Sequence, residues 1–274
     1  MTTVADRQVT VWQGKIMSNI KVAGSGPPVV FLHGAAGLVW DEFLDALAMH
    51  HTVYAPEHPG TTVGDPDSIN HLDNLWDLVL YYYEVFDACG LASVPVIGHS
   101  FGGMVAAELA ATNPDRISKL VLISPIGLWR DDTPITNWMI ITPATDLPQY
   151  LVYDPSGPVA QKVFGMPDDP QLLVEAQLRF HWSLACTGKF IWPIPDKGLK
   201  KRIHRIKAPT LLIWGKEDRL VSPVYAQEFA SRIPSARVEQ LDQAGHMLTM
   251  EHPAHVATLV RKFLRDEQTP RTVS

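Results

Sequence analysis

Gly98-His99-Ser100-Phe101-Gly102-Gly103 stands between the apolar run Val94–Ile97 and a helix-forming stretch from Phe101 to Thr112. The run before it is short and branched at Cβ, as in a buried strand. The stretch after it is rich in Ala and closes at Asn113-Pro114, as a helix does. A turn this tight forces Ser100 into a strained backbone conformation and lifts its hydroxyl out of the C-terminal edge of a sheet. Gly98 and Gly102 leave room for strand and helix to approach. The helix start supplies partial positive charge and a free Phe101 N–H, which suits an oxyanion. The bare five-residue pattern is common by chance, so its weight comes from the strand before it and the helix after it.

The same rhythm extends outward. Val9–Trp12 and Lys15–Val22 read as a hairpin around Gly14, and Pro28–Leu32 reads as a strand ending at His33-Gly34. Thr52–Ala55 and Lys119–Ile123 read as further strands. Leu72, Leu75, Trp76, Val79, Tyr82, Tyr83 and Phe86 recur at spacings of three and four, which predicts a helix over Asn70–Cys89. From Arg130 to about Arg205 the alternation stops, prolines and aromatic residues gather, and one helix is expected at Pro170–Thr187. It resumes with a strand at Pro209–Trp214, a helix at Pro223–Arg232, a strand at Arg237–Leu241 and a helix at Pro253–Arg265. Strands alternating with helices predict an α/β fold: a mostly parallel, twisted sheet covered on both faces. The core falls at 1–129 and 206–274, with a helical insertion at 130–205.

Composition restricts the function. The chain has 274 residues, 46% of them apolar and 19% charged, enough to bury a large core and too apolar for disorder. Lys and Arg number 23 against 29 Asp and Glu, a formal charge of −6. The basic residues make no run longer than the Lys197–Lys207 stretch, so no nucleic-acid partner is expected. Ala88–Ala107 lacks charged residues but contains Pro95, His99 and four glycines, so it reads as a strand–turn–helix and no membrane partner is expected. Met1–Val11 does not resemble a secretory signal, and Cys89 and Cys186 fit no metal or redox spacing. No Asn-x-Ser/Thr acceptor occurs, and a cytoplasmic location is expected. Gly24-x-Gly26 lacks the third glycine of a dinucleotide loop, and the 11 histidines show no HExxH or Cys/His ligand set. Neither a metal nor a cofactor is expected. The sequence leaves the oligomeric state open.

A serine hydroxyl needs a base to take its proton and an acid to orient that base. Trp214-Gly215-Lys216-Glu217-Asp218 places acids directly after a strand, with Asp218 the better placed. Gln243-Ala244-Gly245-His246-Met247 places a histidine after the next strand. Asp131 and Asp132, after the Lys119–Ile123 strand, are rival acids. His33-Gly34-Ala35-Ala36-Gly37 follows the Pro28–Leu32 strand with small residues, and the Ala35 N–H is a candidate second donor to an oxyanion. His99 flanks Ser100 and reads as a packed residue near the site.

Five motifs, in order, carry a resemblance to the α/β-hydrolase superfamily from about Val29 to Leu264: HGAAG at His33–Gly37, HPG at His58–Gly60, GHSFGG at Gly98–Gly103, GKEDRLVSP at Gly215–Pro223 and AGHMLTMEHP at Ala244–Pro253. The order Ser100, Asp218, His246 is the one expected in that superfamily. The resemblance implies Ser100 as nucleophile, His246 as general base then acid, Asp218 as orienter, and Ala35 and Phe101 as oxyanion amides. It also implies a helical lid at about Arg130–Arg205. Glu57 departs from the Asp that relatives usually carry before His-Pro-Gly, at a structural position.

The insertion holds Trp138, Tyr150, Tyr153, Phe164, Phe180, Trp182, Phe190 and Trp192. These read equally as a small satellite core or, for Trp138 and Trp182 first, as an apolar pocket lining over Ser100, with Met247 beside the histidine. The expected activity is a serine esterase acting on a small apolar or aromatic substrate. Ring-cleavage carbon–carbon hydrolases use a similar triad but usually carry Gly-His-Trp, where Met247 follows His246 here. Amidase, lactonase and cofactor-free perhydrolase activities, and a slow ligand-sensing role on the same fold, use the same residues.

Overall fold

A computed structural model describes residues 3–63, 65–141, 144–192, 194 and 196–266. The strands are β1 (Ala5–Val11), β2 (Ile16–Ala23), β3 (Pro28–Leu32), β4 (Thr52–Pro56), β5 (Val94–His99), β6 (Ile117–Ile123), β7 (Thr210–Gly215) and β8 (Ala236–Leu241). They form one eight-stranded sheet in the order β1-β2-β4-β3-β5-β6-β7-β8. The β1–β2 hairpin and the β2–β4 pair are antiparallel, and every later pair is parallel.

The continuous apolar runs follow from burial on both faces. Val30 and Leu32 of β3, Val96 of β5, Leu120 and Leu122 of β6 and Leu212 of β7 point into one core layer. Their neighbours Val29, Phe31, Ile97, Val121, Ile123, Leu211 and Ile213 point into the other. A period of two therefore feeds two layers, and no position along these strands has to be polar.

The helices of the core are α1 (Glu42–Ala48), α2 (Leu75–Ala88) and α3 (Phe101–Thr112). Then come α4 (Leu147–Leu151), α5 (Pro158–Phe164), α6 (Pro170–Ile191) and α7 (Leu199–Arg202) between β6 and β7, and finally α8 (Val224–Ala230), α9 (Leu248–Glu251) and α10 (Pro253–Arg265). The layer on one face takes Tyr81 and Phe86 of α2, Met104 and Leu109 of α3, and Phe229 of α8. The other takes Phe43 and Leu47 of α1 and Val256, Val260 and Phe263 of α10.

Several elements differ from the sequence expectation, among them the insertion, which carries α4, α5 and α7 besides the one helix expected, and in three others the reason is local. The helix expected over Asn70–Cys89 begins later, because Asn74 accepts the Trp76 and Asp77 N–H groups and caps α2 there. Residues before that cap form a separate 3-10 turn at Pro66–His71. Helix α1 was not expected: seven residues are too few to show a period, although Asp41 caps it through the Leu44 N–H. Helix α6 runs to Ile191, four residues past the expected end, and stops before Trp192, which precedes Pro193 in sequence and is extended.

Between β6 and β7 no strand occurs among the described residues. Helix α6 lies over the loops that follow β3 and β4: the Trp182 indole N–H donates to Gly60 O at 2.8 Å and Lys189 Nζ to Ile69 O at 3.1 Å. Helix α7 is set against α3, where Arg202 forms a bidentate pair with the buried Glu108 at 2.9 and 2.7 Å.

Under α6 the loops after β3 and β4 are locked by imidazoles. The His58 N–H donates to His33 Nε2 at 3.0 Å, so the proton of His33 is on Nδ1 and donates to Gly34 O. His58 Nε2–H donates to His33 O at 2.8 Å, and the Tyr82 hydroxyl donates to His58 Nδ1. Burial, with the neighbouring His58, holds His33 well below the ordinary imidazole range. Burial alone draws His58 down to about 4. Both are neutral, and each has one tautomer.

Two outcomes follow from this packing. A Cβ at Gly102 would sit 2.1 Å from Leu32 O and 2.5 Å from His33 O, a backbone clash without a flexible partner. Gly102→Ala is expected to destabilise the fold by about 3 kcal/mol, read as a lower urea midpoint at unchanged m-value. The buried histidines set the sign of the acid response. His33, His58 and His99 (also drawn to about 4) stay neutral in the folded chain, whereas the unfolded chain protonates them below about 6.5. Stability is therefore full above about pH 6.5 and falls as pH drops toward 4. His51, also lowered by burial, adds to the trend, while Asp41, pushed up to about 6 by burial, and Glu251, also raised, oppose it. The histidines outnumber the acids, so a net loss of stability is expected as pH falls from about 6.5 toward 4. Urea unfolding at pH 8, 6 and 5 measures it, and a flat profile would contradict the assignment.

Candidate active site

Ser100 occupies the turn between β5 and α3 with φ +55 and ψ −115, a conformation that residues with a side chain rarely adopt. Backbone bonds hold it there. Its N–H donates to Ile123 O at 2.9 Å, and its carbonyl accepts from Met104 N at 3.1 Å and Ile126 N at 3.2 Å. These bonds tie the turn to the next strand and to the first turn of α3 at once. The side chain is buried at the C-terminal edge of the sheet.

The loops after β7 and β8 reach the same edge. A Cβ at Gly215 would meet Ala244 O at 2.2 Å, so only glycine lets the two loops lie this close. They pair as an extension of the sheet: Lys216 N donates to Leu241 O at 2.9 Å and Glu217 N to Ala244 O at 3.0 Å. This register brings Asp218 against His246.

His246 Nε2 lies 2.9 Å from Ser100 Oγ, and His246 Nδ1 lies 2.9 Å from Asp218 Oδ2. A carboxylate only accepts, so the proton is on Nδ1, leaving Nε2 to accept from the serine hydroxyl. The other carboxylate oxygen, Oδ1, accepts the Leu220 N–H at 3.0 Å and the Val221 N–H at 2.8 Å. Asp218 and His246 are both buried, and every oxygen of the buried anion is satisfied. Such a chain can move a proton from the hydroxyl to the imidazole while the carboxylate stabilises the resulting charge.

Other expected residues are distributed as follows. A Cβ at Gly34 would lie 3.6 Å from Ser100 Cβ, so the Gly34–Ala35 turn lies against the serine. Phe101 opens α3, where an N–H has no intrahelical acceptor. Its ring is buried between His58, 4.9 Å away, and Phe190 of α6, 6.5 Å away by centroid. Trp138 is buried in the larger core layer. Trp182 is 45% exposed, with its N–H committed to Gly60 O. Met247 is half-buried, and its N–H donates to Leu151 O at 2.9 Å. The rival acids lie elsewhere: Asp131 accepts from the Trp129 indole, and Asp132 pairs with Arg130.

Two roles were not legible. His99, read as packing, donates from Nε2 to His246 O at 2.9 Å, and burial draws it down to about 4. Glu217, next to the acid, accepts the Ala244 N–H at 3.1 Å. Its place beside Asp218 was the available signal, but a side chain bonded to a backbone amide 27 residues away leaves no pattern in the sequence. Among the described residues, no group of three or more His, Cys, Asp or Glu side chains is arranged to hold a metal ion. None of the described helices is long and apolar enough to cross a membrane.

The chain is similar to known proteins in sequence and in fold. The chain is 27% identical over 275 residues to 2-hydroxymuconate semialdehyde hydrolase of Pseudomonas sp. (strain CF600), covering 92% of this chain and 91% of that one. It is 28% identical over 277 residues to monoacylglycerol lipase abhd6-B of Xenopus laevis, covering 90% and 77%. The fold is similar to that of a membrane phospholipase A described as a bacterial virulence factor, with a TM-score of 0.78 at 19% identity over 95% of this chain and 86% of that one. The model of the alpha/beta hydrolase family matches residues 29–259, from the strand that opens the parallel sheet to the last helix, and the chain belongs to that family.

Proposed function

We propose that the chain is a serine hydrolase that cleaves an ester of a small apolar or aromatic substrate. The observation that carries this reading is the buried run of two 2.9 Å contacts from Ser100 Oγ through His246 to Asp218. In this reading the substrate carbonyl enters above Ser100, and His246 Nε2 takes the hydroxyl proton as Oγ attacks. The developing oxyanion lies on the Ala35 and Phe101 N–H groups, and His246 returns the proton to the leaving alkoxide. Water, deprotonated by the same imidazole, then releases the acid and restores Ser100. No cofactor enters these steps.

Residues 130–205 serve as the cap, α6 being its roof and α7 its root on α3. Trp138, Trp182 and Met247 remain candidates for the substrate-facing surface. Phe101 and Phe190, buried and stacked at an interplanar angle of 18°, fasten α6 to the start of α3. The partner is a small molecule, and the location is cytoplasmic.

Carbon–carbon hydrolysis of a ring-cleavage product is the second reading, because a relative 27% identical bears the name of a semialdehyde hydrolase. Met247, where those enzymes usually carry Trp, favours esters.

The test is p-nitrophenol release from short- and medium-chain esters. Wild type is expected to turn over many times, and Ser100→Ala to lose at least about a thousandfold in kcat/KM. Equal rates in the two proteins would overturn the reading. Asp218→Asn is expected to lose about 10³–10⁴ in kcat while remaining folded, because the amide no longer fixes the His246 tautomer. Turnover of a ring-cleavage dienoate much faster than of any ester would select the second reading, and release that stops after one equivalent would favour a ligand sensor.

A further inference from the structure

The backbone around His246 is held on every side. Ala244 N–H is taken by Glu217, His246 O by His99, and Met247 N–H by Leu151 O at the end of α4. Gly245 N–H donates to Glu251 Oε2 at 2.7 Å, and the other oxygen of the same carboxylate accepts Tyr153 N–H at 2.6 Å. Glu251 therefore bridges the histidine loop and the segment that leaves α4. That segment packs backbone on backbone, since a Cβ at Gly245 would lie 2.7 Å from Val152 C. Its other edge is gripped from the acid side: Arg219, next to Asp218, donates to Gln149 O at 3.0 Å and Val152 O at 3.2 Å. One short stretch of the insertion, residues 149–153, thus touches the neighbours of both Asp218 and His246.

We propose that Glu251 is a positioning residue for His246, its carboxylate joining Gly245 to Tyr153 so that the inserted segment as well as Asp218 orients the base. The proposal rests on His246 being the base. Two amide donors converge on one half-buried carboxylate, and a neutral amide side chain can satisfy only one of them, because its NH₂ cannot accept. A residue with a merely structural role would lower stability and the active fraction, without changing kcat per folded molecule. A positioning residue lowers kcat and leaves binding intact, because a small misplacement of a reacting group acts on the transition state.

The experiment compares wild type, Glu251→Gln and Glu251→Asp with the p-nitrophenyl ester that wild type cleaves best. Active fraction is counted by fluorophosphonate labelling of Ser100, and stability by urea unfolding. Glu251→Gln is expected to lose about 30- to 100-fold in kcat per labelled site with KM within about twofold, and Glu251→Asp to recover part of the loss. Unchanged kcat per site in Glu251→Gln would overturn the proposal, as would a loss confined to KM or to the labelled fraction. Should Glu251→Gln not fold, Arg219→Gln tests the same segment from its exposed edge: a severalfold kcat loss at constant KM is expected, and none overturns it. Failure of the underlying reading looks different, since wild type itself would then neither label nor lose activity in Ser100→Ala.

Discussion

The turn at Ser100 is the constraint on which the rest of the site depends. A residue with a side chain held at φ +55 costs on the order of 1–3 kcal/mol, and it stays there only because its surroundings over-determine it. Here three backbone bonds fix the turn, and Gly102 lies flush against the Leu32 and His33 carbonyls. In return the hydroxyl stands at the carboxyl end of the sheet and the first N–H of α3 stands beside it. Gly34 and Ala35 reach that point from the end of β3, the strand next to β5, and Asp218 and His246 from the loops after β7 and β8 on the far side of β6.

Four imidazoles crowd this edge, and hydrogen bonding gives each a different task. His33 and His58 spend both ring nitrogens on fixed partners, and His99 gives its Nε2 proton to the backbone of His246. Burial keeps these three uncharged. Only His246 has a carboxylate behind it and a serine in front. A buried anion and one imidazole that can become a cation make a balanced pair in a low-dielectric site, where a further charge would be costly.

The insertion does more than cover the sheet. Phe190 stacks on Phe101, Trp182 and Lys189 bind the loops after β4, and residues 149–153 lie between the acid and base loops. Substrate choice in this family is varied, as the names of the similar proteins make plain, while the Ser–His–Asp geometry can be shared. The inserted residues 149–153 and the His246 loop are packed as one unit, backbone against backbone at Gly245 and bridged by Glu251.

Local patterns in the chain were enough to determine the alternation of strands and helices, the turn at Ser100, the loops bearing Asp218 and His246, and the extent of α3, β3 and α10, whose expected limits are those observed. They are legible because each depends on neighbours in sequence: a period of two or 3.6, a glycine where backbones meet, an Asn-Pro stop. Tertiary structure alone decided the rest. The tautomers of His33 and His58, the bond from His99 to His246 O and the bridge from Glu251 to Tyr153 all join residues far apart in the chain. Their energy lies in desolvated hydrogen bonds that exist only once the sheet has assembled, and no periodicity along the sequence records them.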